Sequence, residues 1–207
     1  MADTIGPKHK NEDQETMPLP FKSIIQIAYV SRAELFDECL AYWTDVVGAG
    51  PFFVGDFELE NQLLRGKRTE CTITAAMGYR GDQQIEIIRP TNDSPSIYRE
   101  TIDEHARQPA GGHFHHYMFE PIDYDAAVAH FMKHGCREGF SGVMAGNKRL
   151  TYLDGRDTMG CYVELIEPGS AFPELSRRMR AAAAKWDGSN PVRSFAEIIE
   201  GIPDFSG

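Results

Sequence analysis

Four polar residues interrupt apolar, strand-like runs of the sequence: Gln26 in IIQIAYV, Glu86 in QIEIIRP, His116 in HHYMFE and Glu164 in YVELIEP. Each has apolar neighbours, so a strand formed there would bury a polar or charged group. A buried carboxylate without a partner is costly, and two that face one cavity cost more unless a cation compensates them. We therefore predict that these four residues bind one divalent metal ion.

The donor types indicate which cations suit the site. One imidazole, one amide oxygen and two carboxylates form an oxygen-rich ligand set, which favours a Lewis-acidic divalent ion such as Zn, Ni, Co, Mn or Mg. The ligands lie far apart in the sequence, so no local metal-binding loop connects them. Positions repeated at the ends of strands would bring them together.

The runs that contain these residues belong to a pattern that occurs twice. The first copy reads as strand, helix and three strands, in the order SIIQIAYV, SRAELFDECLAYWTDVVG, PFFVGDFEL, ECTITAAMGY and QQIEIIRP. The second copy has the same order, in HFHHYMFE, DYDAAVAHFMKHG, CREGFSG, NKRLTYLDG and MGCYVELIEP. The similar endings QQIEIIRP and GCYVELIEP indicate an internal duplication with a shared core. The candidate ligands lie on the first and last strands of each copy, where they can face one concavity.

The predicted fold class is α+β, with two βαβββ modules that form cupped mixed sheets around a metal site, plus a C-terminal helix. The predicted divisions are a flexible N-terminal arm at 1–21, the first βαβββ module at 22–93, a linking helix at 94–111, the second module at 112–169 and a C-terminal helical extension at 170–207. The extension contains AFPELSRRMRAAAAKWDG, a strong helix former. We expect it to pack on the outside of the second sheet or against a partner subunit.

The composition excludes several classes of partner. The net charge is -10, from 31 acidic against 21 basic residues, and no basic tract offsets it, so nucleic acid is not an expected partner. No apolar run reaches the length of a membrane span, and the N-terminus lacks the apolar core of a signal peptide, so we predict a cytoplasmic protein without membrane contact. The four cysteines are far apart and are expected to be reduced thiols. Arg89 and Arg149 are candidates for an anion site.

Two sets of residues resemble a known family. HHYMF, at the start of the second module, looks like the His-Ile-Ala-Phe strand of the vicinal oxygen chelate superfamily, and IEIIRP and VELIEP are similar to its paired strand endings. This superfamily includes glyoxalase I, methylmalonyl-CoA epimerase, extradiol dioxygenases and bleomycin-resistance proteins. The resemblance covers about residues 22–168, and the family's ligand positions fall on the same four residues. Gln26 replaces the commoner histidine, as in some glyoxalase I enzymes.

The resemblance implies a metal-dependent isomerase, epimerase or lyase that stabilises an enolate next to a carbonyl of an acyl-CoA or another small carbonyl substrate. Glu164 resembles the family residue that can leave the metal and act as the catalytic base, and Glu86 is the second catalytic candidate for a two-base route. Alternatively, both glutamates serve only as ligands. A homodimer is a further expectation, because cupped sheets of this kind often pair.

Two other functions and one ligand assignment remain open. A ring-cleaving non-haem iron dioxygenase would use two histidines and a carboxylate, and Gln26 replaces the second histidine. A small-molecule binding or resistance protein of the same fold is the other alternative. Strand alternation predicts that His115 faces away from His116 and that residue 114 shares the side of His116, although a one-residue shift would make His115 the ligand. Aromatic residues that could line a pocket or pack in the core are Trp43, Tyr29, Tyr117, Phe52 and Phe53.

Overall fold

The computed structural model describes residues 18–202. Most of the predicted N-terminal arm therefore lies outside the described residues, as do residues 203–207 of the predicted extension. The strands in this range are β1 (Phe21–Val30), β2 (Phe52–Glu58), β3 (Glu60–Leu64), β4 (Lys67–Arg68), β5 (Thr72–Arg80), β6 (Gln83–Pro90), β7 (His113–Pro121), β8 (Arg137–Met144), β9 (Lys148–Gly155), β10 (Cys161–Ile166) and β11 (Val192–Ser194). The α-helices are α1 (Phe36–Ala41), α2 (Ile97–Asp103), α3 (Tyr124–Lys133), α4 (Phe172–Ala183) and α5 (Ala196–Ile199). A 3-10 turn (Ala33–Leu35) precedes α1, a π-helical segment (Tyr42–Val47) follows it, and a second 3-10 turn (Ala145–Asn147) connects β8 to β9.

All the described strands form one mixed sheet, in the order β11-β2-β5-β6-β1-β7-β10-β9-β8-β3-β4. The order β2-β5-β6-β1 in the first half recurs as β8-β9-β10-β7 in the second half. In each half the first strand pairs in parallel with the last, and the antiparallel pairing of β1 with β7 joins the halves. The predicted α+β fold is thus confirmed, with the repeats joined edge to edge in a continuous sheet.

The sequence pattern does not predict β3 and β4. Their segment is rich in charged and exposed residues, so it lacks the alternation of a half-buried strand. β3 nevertheless pairs antiparallel with β8, with Glu60 opposite Val143 and Leu64 opposite Phe140. This hairpin of the first half therefore extends the sheet of the second half.

The C-terminal segment packs against the first half of the sheet. Leu175 and Met179 of α4 are buried in a cluster with Met77 and Tyr79 of β5, and β11 pairs in parallel with β2. The expectation that this segment covers the outside of the second sheet is wrong, because the apolar side of the amphipathic helix α4 meets β5 instead.

No helix within residues 18–202 is long and apolar enough to cross a membrane. The four cysteines are buried and unbridged. Burial raises the pKa of the Cys39 thiol to about 12, which keeps it protonated and unreactive at neutral pH.

Candidate metal centre

The four predicted ligands lie on the four adjacent central strands of the sheet, β6, β1, β7 and β10. Ala28 on β1 is the register partner of Glu86 on one side and of His116 on the other. Gln26 and Glu164 occupy the neighbouring row, on either side of a shared residue of β7. Because residues two apart on a strand share a face, both rows point to the same side of the sheet. Ala28 leaves space between its larger neighbours.

His116 Nε2 lies at the centre of these side chains. It is 2.8 Å from Glu164 Oε2 and 3.6 Å from Glu86 Oε2. Gln26 Oε1 lies 3.4 Å from the same nitrogen, and Gln26 Nε2 donates a 2.8 Å hydrogen bond to Gln84 Oε1. That bond turns the amide oxygen of Gln26 towards the cluster. The structure thus brings together all four predicted residues.

The electrostatics of this cluster fit a cation. One donor atom each from Glu86, His116 and Glu164 lie within 4.8 Å of one another, and all three side chains are buried. Glu86 Oε2 and Glu164 Oε2 have no hydrogen-bond partner among the described residues, so the close approach to His116 does not have hydrogen-bond geometry. Burial, and then the nearby charge of Glu164, raise the pKa of Glu86 well above its usual range. This Glu-His-Glu cluster can bind a divalent metal ion, which would pair with both unsatisfied oxygens.

His115 lies behind His116 rather than in the cluster. Its Nδ1 is 2.9 Å from His116 Nδ1, and its ring stacks on Tyr98 with centroids 5.1 Å apart. The prediction that His115 faces away from His116 is wrong. The pairing of β1 with β7 shifts register at this point, forming an irregularity that breaks strict alternation, and Phe114 is instead partly exposed.

The contact between the two histidines orients the central imidazole. Burial, and then the neighbouring His116, lower the pKa of His115 well below its usual range, so His115 is neutral at physiological pH. If His116 donates its Nδ1 proton to His115 Nδ1, the lone pair of His116 Nε2 faces the carboxylates. An imidazole that binds a metal usually has a second partner of this kind, which fixes its tautomer.

A cavity of about 280 Å³ opens from this cluster. Gln26, Glu86 and Glu164 line its polar end. Its remaining wall is largely apolar and receives residues from both halves of the sheet, from α2 and from the C-terminal segment. The polar end therefore lies within an apolar pocket, an arrangement typical of small-molecule sites.

Two tyrosines that the sequence reasoning missed line this cavity, Tyr98 on α2 and Tyr152 on β9. Their ring centroids lie 6.0 Å apart, and the Tyr152 ring is 5.0 Å from that of His116. Burial raises the pKa of both phenols well above the usual value, so both retain their protons at neutral pH. Tyr98 stands among mostly polar residues of the predicted linking helix, so the sequence contains no signal for its position at the cavity.

The aromatic residues considered from the sequence lie elsewhere. Phe52 and Phe53 are fully buried in packing clusters, and Tyr29 packs against Trp43 with ring centroids 4.8 Å apart. Tyr117 packs against Phe114 on β7. None of the five lines the cavity at the metal cluster.

A sequence profile of the "Glyoxalase/Bleomycin resistance protein/Dioxygenase superfamily" matches residues 25–153. The chain belongs to this superfamily. This match confirms the resemblance to the vicinal oxygen chelate superfamily that the HHYMF and IEIIRP motifs indicate. The matched range includes Gln26, Glu86 and His116. Glu164 lies beyond the matched range, and its position follows from the correspondence of β10 with β6. No match is found among curated proteins.

Several solved structures resemble this chain. Methylmalonyl-CoA epimerase from Mycobacterium tuberculosis is 16% identical, with a TM-score of 0.49, and the match covers 77% of this chain and 97% of that one. A variant of the Streptomyces coelicolor methylmalonyl-CoA epimerase in complex with 2-nitronate-propionyl-CoA is 19% identical, with a TM-score of 0.47, covering 72% and 99% respectively. A hypothetical protein from Bacillus halodurans C-125 is 14% identical, with a TM-score of 0.47, covering 72% and 95%.

Proposed function

We propose that this member of the superfamily is a metal-dependent isomerase, epimerase or lyase that removes a proton next to a carbonyl group and stabilises the resulting enolate. The observation that carries the proposal is the buried Glu-His-Glu cluster, whose two unpartnered carboxylate oxygens lie at the polar end of an apolar cavity. Uncompensated carboxylates are costly to bury, so their retention there favours a role in binding and chemistry over packing.

Gln26, Glu86, His116 and Glu164 would hold the ion. A divalent cation bound there supplies positive charge that stabilises an oxygen on which negative charge develops. Among the same side chains, Glu164 is the proposed base that takes the proton next to the carbonyl, and Glu86 is the proposed second carboxyl, which in a two-base route delivers its own proton to the opposite face of the enolate. Gln26 and His116 would then serve only to hold the ion.

The pocket wall supports this chemistry in two ways. Its apolar side chains exclude water, which strengthens electrostatic interactions at the polar end and protects a reactive carbanion equivalent. Tyr98 and Tyr152 retain their hydroxyl protons and share a side-chain hydrogen bond, so one of the two hydroxyls can donate a hydrogen bond to a substrate oxygen in the cavity.

Metal analysis followed by solvent-deuterium exchange tests the proposal. The purified protein should contain about one equivalent of a divalent metal, the expectation for a single cluster of this kind. With that metal bound, it should incorporate deuterium from heavy water next to the carbonyl of keto compounds or thioesters. When the metal is supplied in enough excess to load each variant, Glu164→Gln should reduce the exchange rate by a factor of about 100 or more, since general base catalysis contributes about that much.

Glu138→Gln is the matched control, because Glu138 is an exposed strand glutamate on β8. Full exchange activity in Glu164→Gln would end the assignment of Glu164 as base. Consumption of oxygen with ferrous ion during turnover would replace the proposal with ring-cleaving chemistry. Tight binding of carbonyl compounds without exchange would favour a binding protein instead.

A further inference from the structure

The cavity continues beyond the metal cluster to a surface formed by the C-terminal segment. Phe172, Leu175 and Met179 of α4 and Phe195 beside α5 line it there, and we call these four residues the C-terminal wall. The wall lies beyond residue 153, where the superfamily match ends. It closes the cavity with side chains that carry no charge.

The C-terminal wall is connected to the metal cluster through one glutamine. Gln84 Nε2 lies 4.0 Å from Met179 Sδ, and Gln84 Oε1 accepts the hydrogen bond that orients Gln26. Gln84 is fully buried. Gln84 therefore contacts both Gln26 at the polar end of the pocket and Met179 at its apolar end.

The charged residues that line the cavity are all acidic. They are Asp56, Glu58, Glu86 and Glu164, and no lysine or arginine among residues 18–202 joins them. An adjacent depression contains Arg68, but Glu58, Glu60 and Glu70 surround it. A phosphate or carboxylate far from the metal ligands would meet repulsion here and no counter-charge.

The two arginines considered from the sequence do not supply the missing charge. Arg149 is paired with Asp125 at 2.8 Å and with Glu167 at 2.9 Å, and the guanidinium of Arg89 stacks over the Phe36 ring. Neither residue lines the cavity. The predicted anion site between them is therefore not present at this pocket.

We infer that the substrate is an uncharged, apolar carbonyl compound and that the C-terminal wall selects it. This inference rests on the proposed function, because the proposed function places the substrate carbonyl at the metal ligands. The apolar body of the substrate then lies along Phe172 and Met179, and the acidic lining rejects anionic groups. The phosphates of a coenzyme A thioester would have no cationic partner among the residues that line the cavity.

Matched thioesters test the charge preference. Hexanoyl-N-acetylcysteamine and hexanoyl-CoA have the same acyl group and thioester, but only the second bears phosphates. Binding of each to the metal-loaded, full-length protein should be measured by calorimetry. We expect the neutral thioester to bind at least as tightly as the CoA thioester. Tighter binding of hexanoyl-CoA by a factor of about 10 or more would reveal a cationic subsite and overturn the inference. Absence of binding by both would also overturn it.

A variant of the wall tests its role. Phe172→Ala should weaken hexanoyl-N-acetylcysteamine binding by about fivefold or more, while acetyl-N-acetylcysteamine binding changes little, because only the longer chain reaches the wall. Met132→Ala removes an exposed methionine of α3 and is the matched control. Thermal unfolding confirms that each variant is folded. Equal effects on both chain lengths would refute selection by the wall.

The two proposals fail in different ways. If neutral thioesters bind preferentially but exchange no deuterium, the enolate chemistry is wrong and the assignment of the ligand class remains. If exchange proceeds on the CoA thioester in preference to the neutral one, the chemistry is supported and the inference about the substrate falls.

Discussion

Replacing Glu86 by Gln should have opposite effects on the metal-free protein and on metal binding. The substitution preserves the shape of the side chain but removes one of two negative charges that have no counter-charge from lysine or arginine in the described structure. The metal-free E86Q variant should be more stable than the unmodified protein at neutral pH. Its affinity for a divalent metal should be lower.

The distance between the carboxylates sets the magnitude. Their donor oxygens lie within 4.8 Å, so two ionised carboxylates repel each other by about 3.5 kcal/mol or more at an effective dielectric constant of about 20. Protonation of Glu86 relieves part of this cost, so the metal-free variant should gain about 1–3 kcal/mol of unfolding free energy. The substitution also removes one negatively charged ligand of the cation, so it should weaken metal binding by a factor of about 100 or more.

The effect on stability should depend on pH in a defined direction. The pKa of Glu86 is raised in the folded, metal-free protein, chiefly by burial. Protonated Glu86 therefore contributes to the unfolding free energy. This contribution is complete at pH values below the pKa of Glu86 in the unfolded chain, and it is lost as the pH rises through the pKa of Glu86 in the folded protein. The glutamine of E86Q cannot lose a proton. The difference in unfolding free energy between E86Q and the unmodified protein should therefore increase as the pH rises.

Urea denaturation of chelator-treated protein at a series of pH values measures the stability. Competition with a chromophoric chelator measures metal affinity. Glu138→Gln, an exposed change of the same kind, should alter neither quantity. A metal-free E86Q variant that is less stable than the unmodified protein at neutral pH would show that Glu86 has a structural partner and is not an uncompensated charge.

Two further changes probe the contact between the two histidines and the ion pair of Asp154 with Arg156. His115→Ala removes the ring that contacts His116 Nδ1 and should weaken metal binding by a factor of about 10 to 100, measured by the same chelator competition; unchanged affinity would mean that the contact does not orient the ligand. Asp154→Asn removes the carboxylate 2.8 Å from Arg156 Nη2 and should lower the unfolding free energy by about 1–3 kcal/mol at neutral pH in urea denaturation. Hydrogen bonding by Arg156 lowers the pKa of Asp154, so this contribution should be present above the unfolded pKa and disappear as pH falls through the folded pKa. A difference that persists in strong acid would contradict that origin.

The candidate ligands could be predicted because the duplication supplies two independent copies of each position. IEIIRP and VELIEP place Glu86 and Glu164 at corresponding points of the last strand in each half, and Gln26 corresponds to His116 on the first strands. Apolar neighbours on both sides make Gln26, Glu86 and Glu164 conspicuous, whereas His116 is preceded by a second histidine. The repeat also predicts the order βαβββ of the elements along each half of the chain.

Three features could not be predicted because they depend on tertiary contacts. The register shift opposite Ala28 brings His115 against His116, and local alternation contains no signal for it. The polar segment of β3 becomes a strand because the edge of β8 supplies hydrogen-bond partners. The amphipathic pattern of α4 indicates a buried face but does not indicate that the partner is β5 or that Phe172 reaches the cavity.

The hairpin of β3 and β4 has a consequence for the order of folding. It belongs to the first half of the chain but completes the sheet edge of the second half, pairing Glu60 with Val143. Contacts so distant in sequence carry a large loop-closure cost before they contribute stability, so they form late. Neither half can reach its final structure alone, and we expect the two repeats to unfold together as one cooperative unit rather than as two domains.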